Sequence, residues 1–98
     1  MLFSYAQVKK SIDLKKLNGT WVSTEDKKYW VVIKGLVMQE YYDKEKTAVL
    51  NFRIYSNVLT AKDIKTKDVF KYEIVTVNNK QLTMIYLDRG NTLSFRRK

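Results

Sequence analysis

The chain has 98 residues, enough for one domain, and 45% of them are hydrophobic, which is typical of a globular protein rather than a disordered one. It contains no cysteine and no histidine, which excludes disulfides, thiolate metal sites and catalysis that depends on an imidazole. The 19 Lys and Arg residues against 10 Asp and Glu give a net charge of +9, which a solvated lysine-rich surface explains most simply.

The N-terminal segment contains a pattern typical of export signals. Ser4-Tyr5-Ala6 precedes Gln7 with the small-x-small spacing of a signal-peptidase site. Residues 1–6 are therefore either the remnant of a signal peptide or an ordinary N-terminal segment. The first alternative predicts a periplasmic or secreted protein. No apolar run in the chain approaches the roughly 20 residues that a membrane helix needs.

A short helical turn is predicted just before Gly19. Asp13 suits the N-cap position, and Leu14 and Leu17 follow with a spacing of three residues. Asn18-Gly19 is a stop signal for the helix. We expect the two leucines to cover one end of the sheet that follows.

From Gly19 onward the hydrophobic pattern has a period of two, which is typical of half-buried strands. The clearest strands are predicted over residues 47–55, 69–77, 81–87 and 92–97. Gly35 either ends one strand and starts the next or kinks a single strand, so the count is eight or seven.

Polar residues between these runs predict turns. Asn78-Asn79 is expected to form a two-residue hairpin turn, because Asn tolerates a left-handed backbone. Residues 88–91 read as a longer turn with Gly90 at a positive φ.

Closely spaced short strands indicate a sandwich or a barrel. Closing a meander removes its two bare edges, and this chain has no Pro with which to blunt an open edge. We therefore predict an all-β fold: a small up-and-down antiparallel barrel of about eight strands over residues 19–98. Residues 1–18 form the N-terminal segment and the short helix.

Two parts of the sequence resemble a known family. Gly19-Thr20-Trp21, after the short helix, looks like the Gly-x-Trp opening of lipocalin-like barrels. Residues 72–75, 82–84 and 93–97 are similar to the closing hairpins of short bacterial lipocalin-like domains of the calycin type. The loops are shorter than those of full-size lipocalins, and a deep ligand cup is not expected.

The resemblance implies how the barrel closes at one end. In that family an Arg of the last strand lies across the Trp of the first, and Arg96 or Arg97 matches by position. Arg over a Trp ring is a favourable cation–π pair, worth about 0.5–2 kcal/mol. Gly19, Trp21 and one of these arginines are therefore the predicted closure residues, with Trp21 as a core plug rather than a ligand contact.

The resemblance also implies a small hydrophobic or amphiphilic ligand inside the open end. The residues expected to contact it are Trp30, Phe52, Ile54, Tyr72, Met84 and Tyr86. The alternative is a filled interior, because a small barrel is only just wide enough for its own side chains.

No catalytic residue, metal ligand or cofactor site is predicted. Glu40-Tyr41-Tyr42-Asp43 offers two carboxylates, but acid–base catalysis needs a positioned pair. Nothing in the sequence places a second carboxylate beside Glu40, so we expect a polar strand end.

Three functions stay open at this stage. The first is a non-enzymatic lipocalin-like barrel that binds a small ligand. The second is a filled barrel that serves as a protein–protein interaction or inhibitor module. The third is a basic barrel that binds nucleic acid, which runs such as Lys28-Tyr29-Trp30 permit although no nucleic-acid motif is present. A ligand cavity of about 300 Å³, an exposed apolar patch, or a cluster of positive charge would distinguish them.

Overall fold

The computed structural model describes residues 12–98, so the possible signal remnant at 1–6 lies outside the described residues. A one-turn helix, α1 (Leu14–Leu17), begins the fold, and Asp13 caps it by accepting a hydrogen bond from the Lys15 amide. Eight strands follow: β1 (Gly19–Ser23), β2 (Tyr29–Lys34), β3 (Val37–Tyr42), β4 (Glu45–Tyr55), β5 (Val58–Asp63), β6 (Val69–Val77), β7 (Gln81–Tyr86) and β8 (Thr92–Arg97).

The strands form a closed, all-antiparallel barrel, as the sequence predicted. Each strand pairs with the next, and β8 returns to pair with β1, where Trp21 lies opposite Arg97. Gly35 adopts a φ of 64° in a tight turn that sets Lys34 opposite Val37. The strand count is therefore eight, because the chain reverses at Gly35 instead of kinking.

The predicted strand boundaries agree closely with the observed ones. β6 and β8 coincide with the predicted ranges, and β7 ends one residue early. β4 begins at Glu45, two residues before the prediction. Asp43 and Lys44 both have positive φ, 51° and 78°, so a tight turn brings Tyr42 directly opposite Glu45.

The prediction of a left-handed two-residue turn at Asn78-Asn79 is wrong. Three residues separate β6 from β7, and none of them has a positive φ. Instead, the Asn78 side-chain oxygen accepts hydrogen bonds from the amides of Lys80 (2.8 Å) and Gln81 (2.9 Å). Asn therefore makes this turn through its side chain. Gly90 has the predicted positive φ, 76°.

Every strand contributes at least one buried apolar side chain to a core inside the barrel. Trp21, Leu17 and Leu82 are fully buried, and no polar or charged side chain in residues 12–98 is buried to the same extent. Alternation in the sequence predicts an interior-facing set, and all its members lie in the core or pack against it: Leu50, Phe52, Ile54, Phe70, Tyr72, Ile74, Leu82, Met84 and Tyr86. The middle of the barrel is thus packed with side chains.

Candidate ligand site at the open end of the barrel

The end of the barrel where β1 begins and β8 ends is closed by a network of contacts. The Trp21 indole N–H donates a hydrogen bond to the Leu17 carbonyl at 2.8 Å. The Arg97 guanidinium lies over the Trp21 ring, 4.2 Å from its centroid. It also donates to the carbonyls of Lys16 (2.7 Å), Asn18 (2.6 Å) and Asn79 (2.8 Å). Arg97 thus joins the helix end, the start of β1 and the β6–β7 turn.

Gly19 leaves the space that Arg97 occupies. Its φ is 135°, which disfavours any residue with a side chain, and a Cβ at this position would collide with the Arg97 guanidinium. Arg96 lies opposite Val22 with its side chain exposed on the outer face. The cation over Trp21 is therefore Arg97, which alternation in the sequence alone did not distinguish from Arg96.

The opposite end, which we call the open end, carries a ring of aromatic side chains. The Tyr72 and Tyr86 ring centroids are 5.4 Å apart, and Phe70 lies 6.4 Å from Tyr86. Across the barrel, Tyr29 packs on Phe95 at 5.8 Å. Tyr29, Phe70 and Tyr86 are only half-buried. The open end therefore presents a group of half-buried aromatic rings and phenol groups that face the barrel interior.

Glu40 adds a carboxylate to this circle of aromatic side chains at the open end. It is in phase with buried Met38 on β3, so it faces inward, and it accepts a hydrogen bond from the Tyr29 hydroxyl at 3.2 Å. Burial raises the pKa of Glu40; the hydrogen bond from Tyr29 works against this rise, and the charge of Asp63 adds to it. Asp63 is in phase with buried Leu59 on β5. Two carboxylates thus belong to the inward rows of the open end.

Two phenols of the open end, Tyr29 and Tyr86, donate hydrogen bonds to carboxylates. Burial raises the pKa of Tyr29 and of Tyr72 far above the ordinary range, and the charge of Glu40 adds to both shifts. Burial and the neighbouring carboxylate of Asp88 raise the pKa of Tyr86, whose hydroxyl donates to Asp88 at 3.3 Å. These hydroxyls stay protonated at neutral pH, so the site combines aromatic faces, donors and a carboxylate acceptor.

The predicted ligand contacts do not all meet at this end. Tyr72 and Tyr86 lie there, whereas Phe52 and Met84 are buried in the packed middle. Ile54 lies towards the closed end and lines a cavity beside α1.

Trp30 lies on the outer face of the barrel. Its neighbour Val31 is buried, so alternation points the indole outward, where it stacks on Tyr41 with centroids 4.0 Å apart and rings nearly parallel. The Lys98 ammonium lies 5.8 Å from the Trp30 ring. The expectation that Trp30 contacts a ligand inside the barrel has no support in this placement.

The sequence interpretation missed Glu40, Asp63 and Tyr29 as members of the open end. The sequence did contain a signal for the inward position of Glu40. Once the chain reverses at Gly35, Ile33 lies opposite Met38, and both face inward with Glu40 in the same row.

Three cavities around residues 12–98 reach the outer surface. The cavity nearest the open end has a volume of about 190 Å³ and lies between the start of β4 and the β5–β6 loop, with Ala48 and Asp63 in its wall. The other two lie on the outside of β3–β6 and beside α1. A ligand at the open end would therefore sit in a shallow mouth, not in a deep cup.

No group of three or more potential metal-binding side chains occurs in residues 12–98. No helix in that part of the chain combines the length and the apolarity needed to cross a membrane. No protein-family model matches this chain, and comparisons with curated proteins and with solved structures find no match either.

Proposed function

We propose that this barrel is a non-enzymatic, lipocalin-like binding protein that takes a small amphiphilic molecule at its open end. The observation that carries the proposal is the difference between the two ends. Arg97 and Trp21 fill one end, whereas the other presents half-buried aromatic rings around Glu40. Aromatic walls with a few polar groups are typical of small-molecule sites.

The chemistry of the open end indicates the kind of ligand. An apolar part would pack on the rings of Tyr72 and Tyr86, and a hydrogen-bond donor would reach the Glu40 carboxylate. A purely apolar molecule would leave that carboxylate without a polar partner other than Tyr29, which is unfavourable. The ligand is therefore amphiphilic rather than a plain hydrocarbon. The Ser4-Tyr5-Ala6 pattern supports a periplasmic or secreted location.

Native mass spectrometry of the protein purified from a lipid-rich lysate tests this proposal. We expect a bound small molecule on the wild type, reduced in the Glu40→Gln variant and retained in the matched Glu73→Gln variant, because Glu73 lies on the outer face of β6, away from the open end. An apo mass for all three proteins, or equal retention of the molecule by both variants, would contradict a site at the open end.

The outer face of β2 and β3 favours a second candidate function, a protein–protein interaction module. The stacked rings of Trp30 and Tyr41 are half-exposed there, and half-buried Val22 and Val32 lie beside them. Trp residues are enriched at binding hot spots. If this face binds a protein, Trp30→Ala should abolish capture of that protein without changing the melting temperature by more than a few degrees.

A further inference from the structure

Three cations surround one hydroxyl on the outer face of β4, β5 and β6. Thr60 lies directly between Arg53 on one neighbouring strand and Lys71 on the other. Lys62 follows Thr60 by two residues on β5, so it points to the same face. Diagonal neighbours in a sheet lie about 7–8 Å apart, which long side chains span easily. All three cations can therefore reach one ligand group above Thr60.

Arg53, Thr60 and Lys62 of this cluster line a groove of about 380 Å³, and Lys71 lies beside it, next to Thr60. Arg53 and Lys62 line it together with two neutral polar side chains, Asn51 and Thr60. No carboxylate lines the groove, and no side chain in residues 12–98 accepts a hydrogen bond from Arg53 or Lys62. The groove therefore holds positive charge that the described chain does not neutralise.

The nearest outward carboxylate on β6 is Glu73. It lies opposite Val58, beyond Lys71 in the direction of the closed end. Its carboxylate accepts a hydrogen bond from the Asn57 side chain at 3.3 Å. Glu73 therefore borders the cation cluster next to Lys71, with its carboxylate hydrogen-bonded to Asn57, and it does not line the groove.

A second cavity of about 280 Å³ lies next to the groove, beside α1. The two cavities share Leu36 and Arg53. The second one is lined mainly by Ile12, Leu14 and Ile54, and the Leu14 side chain is 40% exposed although it is apolar. A cationic groove and a largely apolar cavity thus lie side by side on the outer surface, with Leu36 and Arg53 at their border, and we call the pair the outer channel.

The wall between the two cavities is held by hydrogen bonds. The Leu36 carbonyl accepts from the Phe52 amide at 2.9 Å, which fixes the β2–β3 turn against β4. The Gly35 amide donates to the Asn18 side chain at 2.9 Å, which fixes the same turn to the end of α1. Leu36 is therefore positioned at the junction by the fold.

We propose that this outer channel binds an anionic amphiphile, a phosphate monoester of an alkyl or acyl chain. The phosphate lies above Thr60 among Arg53, Lys62 and Lys71, and the apolar chain passes Leu36 into the cavity beside α1. A phosphate monoester carries about 1.5 to 2 negative charges at neutral pH and three acceptor oxygens, which match three cations and two neutral donors better than a carboxylate does.

This site shares no residue with the open end, so the two proposals succeed or fail separately. The proposal also assigns part of the positive charge of the protein to one defined site. A solvated lysine surface, by contrast, would bind anions whether or not they carry an apolar chain.

Titration calorimetry of the full chain with dodecyl phosphate, kept below its micelle concentration, tests the proposal. Two comparison ligands separate the contributions to binding: inorganic phosphate has no dodecyl chain, and dodecyltrimethylammonium has no phosphate group. The test variant is Arg53→Gln with Lys62→Gln. The matched control is Lys27→Gln with Lys80→Gln, which removes the same charge from two exposed residues outside the channel.

We expect dodecyl phosphate to bind at least about ten-fold more tightly than inorganic phosphate or dodecyltrimethylammonium. The Arg53/Lys62 variant should lose at least about ten-fold in affinity, and the Lys27/Lys80 control should stay within about two-fold. Equal losses in both double variants, or equal affinity for the cationic detergent, would overturn the proposal. A single-stranded oligonucleotide that binds more tightly than dodecyl phosphate through Arg53 and Lys62 would overturn it in favour of nucleic acid.

Discussion

Arg97 connects parts of the chain that are far apart in sequence. Its guanidinium donates to carbonyls of Lys16, Asn18 and Asn79 while it covers the Trp21 ring. Carbonyls near the end of a helix and in a turn have no partner within their own element, so one side chain satisfies several of them. The contribution of Arg97 therefore comes mainly from backbone groups that would otherwise bond only to water.

The neighbouring arginines provide a matched test at the residue scale. Arg97→Gln is expected to lower the free energy of unfolding by about 2 kcal/mol, because charge-assisted hydrogen bonds and a cation–π contact are lost together. Arg96→Gln changes an exposed side chain and should stay within about 0.5 kcal/mol of the wild type. Urea denaturation measures both values. Equal losses in the two variants would contradict the closure role of Arg97.

Glu40 makes a pH-dependent contribution to stability. Burial raises its pKa in the folded protein above the ordinary value of 4.5, so over an interval of pH the folded state holds a proton that the unfolded state has released. The free energy of unfolding therefore falls as pH rises from the ordinary pKa through the raised one, and it stays lower above that interval. Glu40→Gln should remove this fall and be more stable than the wild type at neutral pH.

Denaturation of Glu40→Gln near pH 4 and near pH 7 measures this effect. Glu25→Gln, a change at an exposed carboxyl, serves as the control and should keep the wild-type pH dependence. If the free energy of unfolding of Glu40→Gln falls between the two pH values by as much as that of the wild type, burial of the Glu40 carboxyl is not the cause of the wild-type decline.

At the scale of the elements, the junction of α1 and β1 requires a glycine at position 19. Gly19→Ala should lower the free energy of unfolding by at least about 2 kcal/mol, because it combines an unfavourable φ of 135° with a collision against Arg97. Gly35→Ala has a positive φ but open space around the new Cβ, and it should cost only about 1 kcal/mol. Thermal melts compare the two, and a smaller loss at Gly19 than at Gly35 would contradict the close approach.

The elements also differ in how well the sequence predicted them. β8 alternates between apolar and polar residues, and so does β6 from Phe70 to Ile74, so the limits of both strands and these inward faces were predicted correctly. After Ile74 the pairing of β6 with β7 shifts register, which alternation did not predict. β2 is apolar at almost every position, Tyr29-Trp30-Val31-Val32-Ile33, so alternation could not assign its faces. Trp30 was therefore predicted to face inward, although it stacks on Tyr41 outside.

The open end could be predicted only in part for a related reason. Tyr72 and Tyr86 lie in clear apolar rows, and both were named from the sequence. Glu40 and Asp63 carry charge at inward positions, which the hydrophobic pattern marks as outward or as strand ends. Only pairing across the turns reveals their side, because a residue opposite an inward partner must itself face inward.

At the scale of the whole molecule, the short seam between β1 and β8 completes the barrel. These strands pair only over Trp21–Ser23 and Phe95–Arg97, whereas β3 and β4 pair along nearly all of β3. Native-state hydrogen exchange should therefore show the seam amides opening at lower free energy than those between β3 and β4. Arg97→Gln should accelerate exchange at the seam more than elsewhere. Uniform exchange around the barrel would contradict this expectation.

The same closure has a consequence for the nascent chain. The Asn18 carbonyl and the Arg97 guanidinium that binds it are 79 residues apart. While a ribosome makes the chain, β1 can pair with β2 early, but its other edge stays bare until β8 has emerged. An unpaired strand edge invites association with other chains. Translation speed and chaperone occupancy during this interval should therefore influence the yield of folded barrel more than they would for a fold built from local contacts.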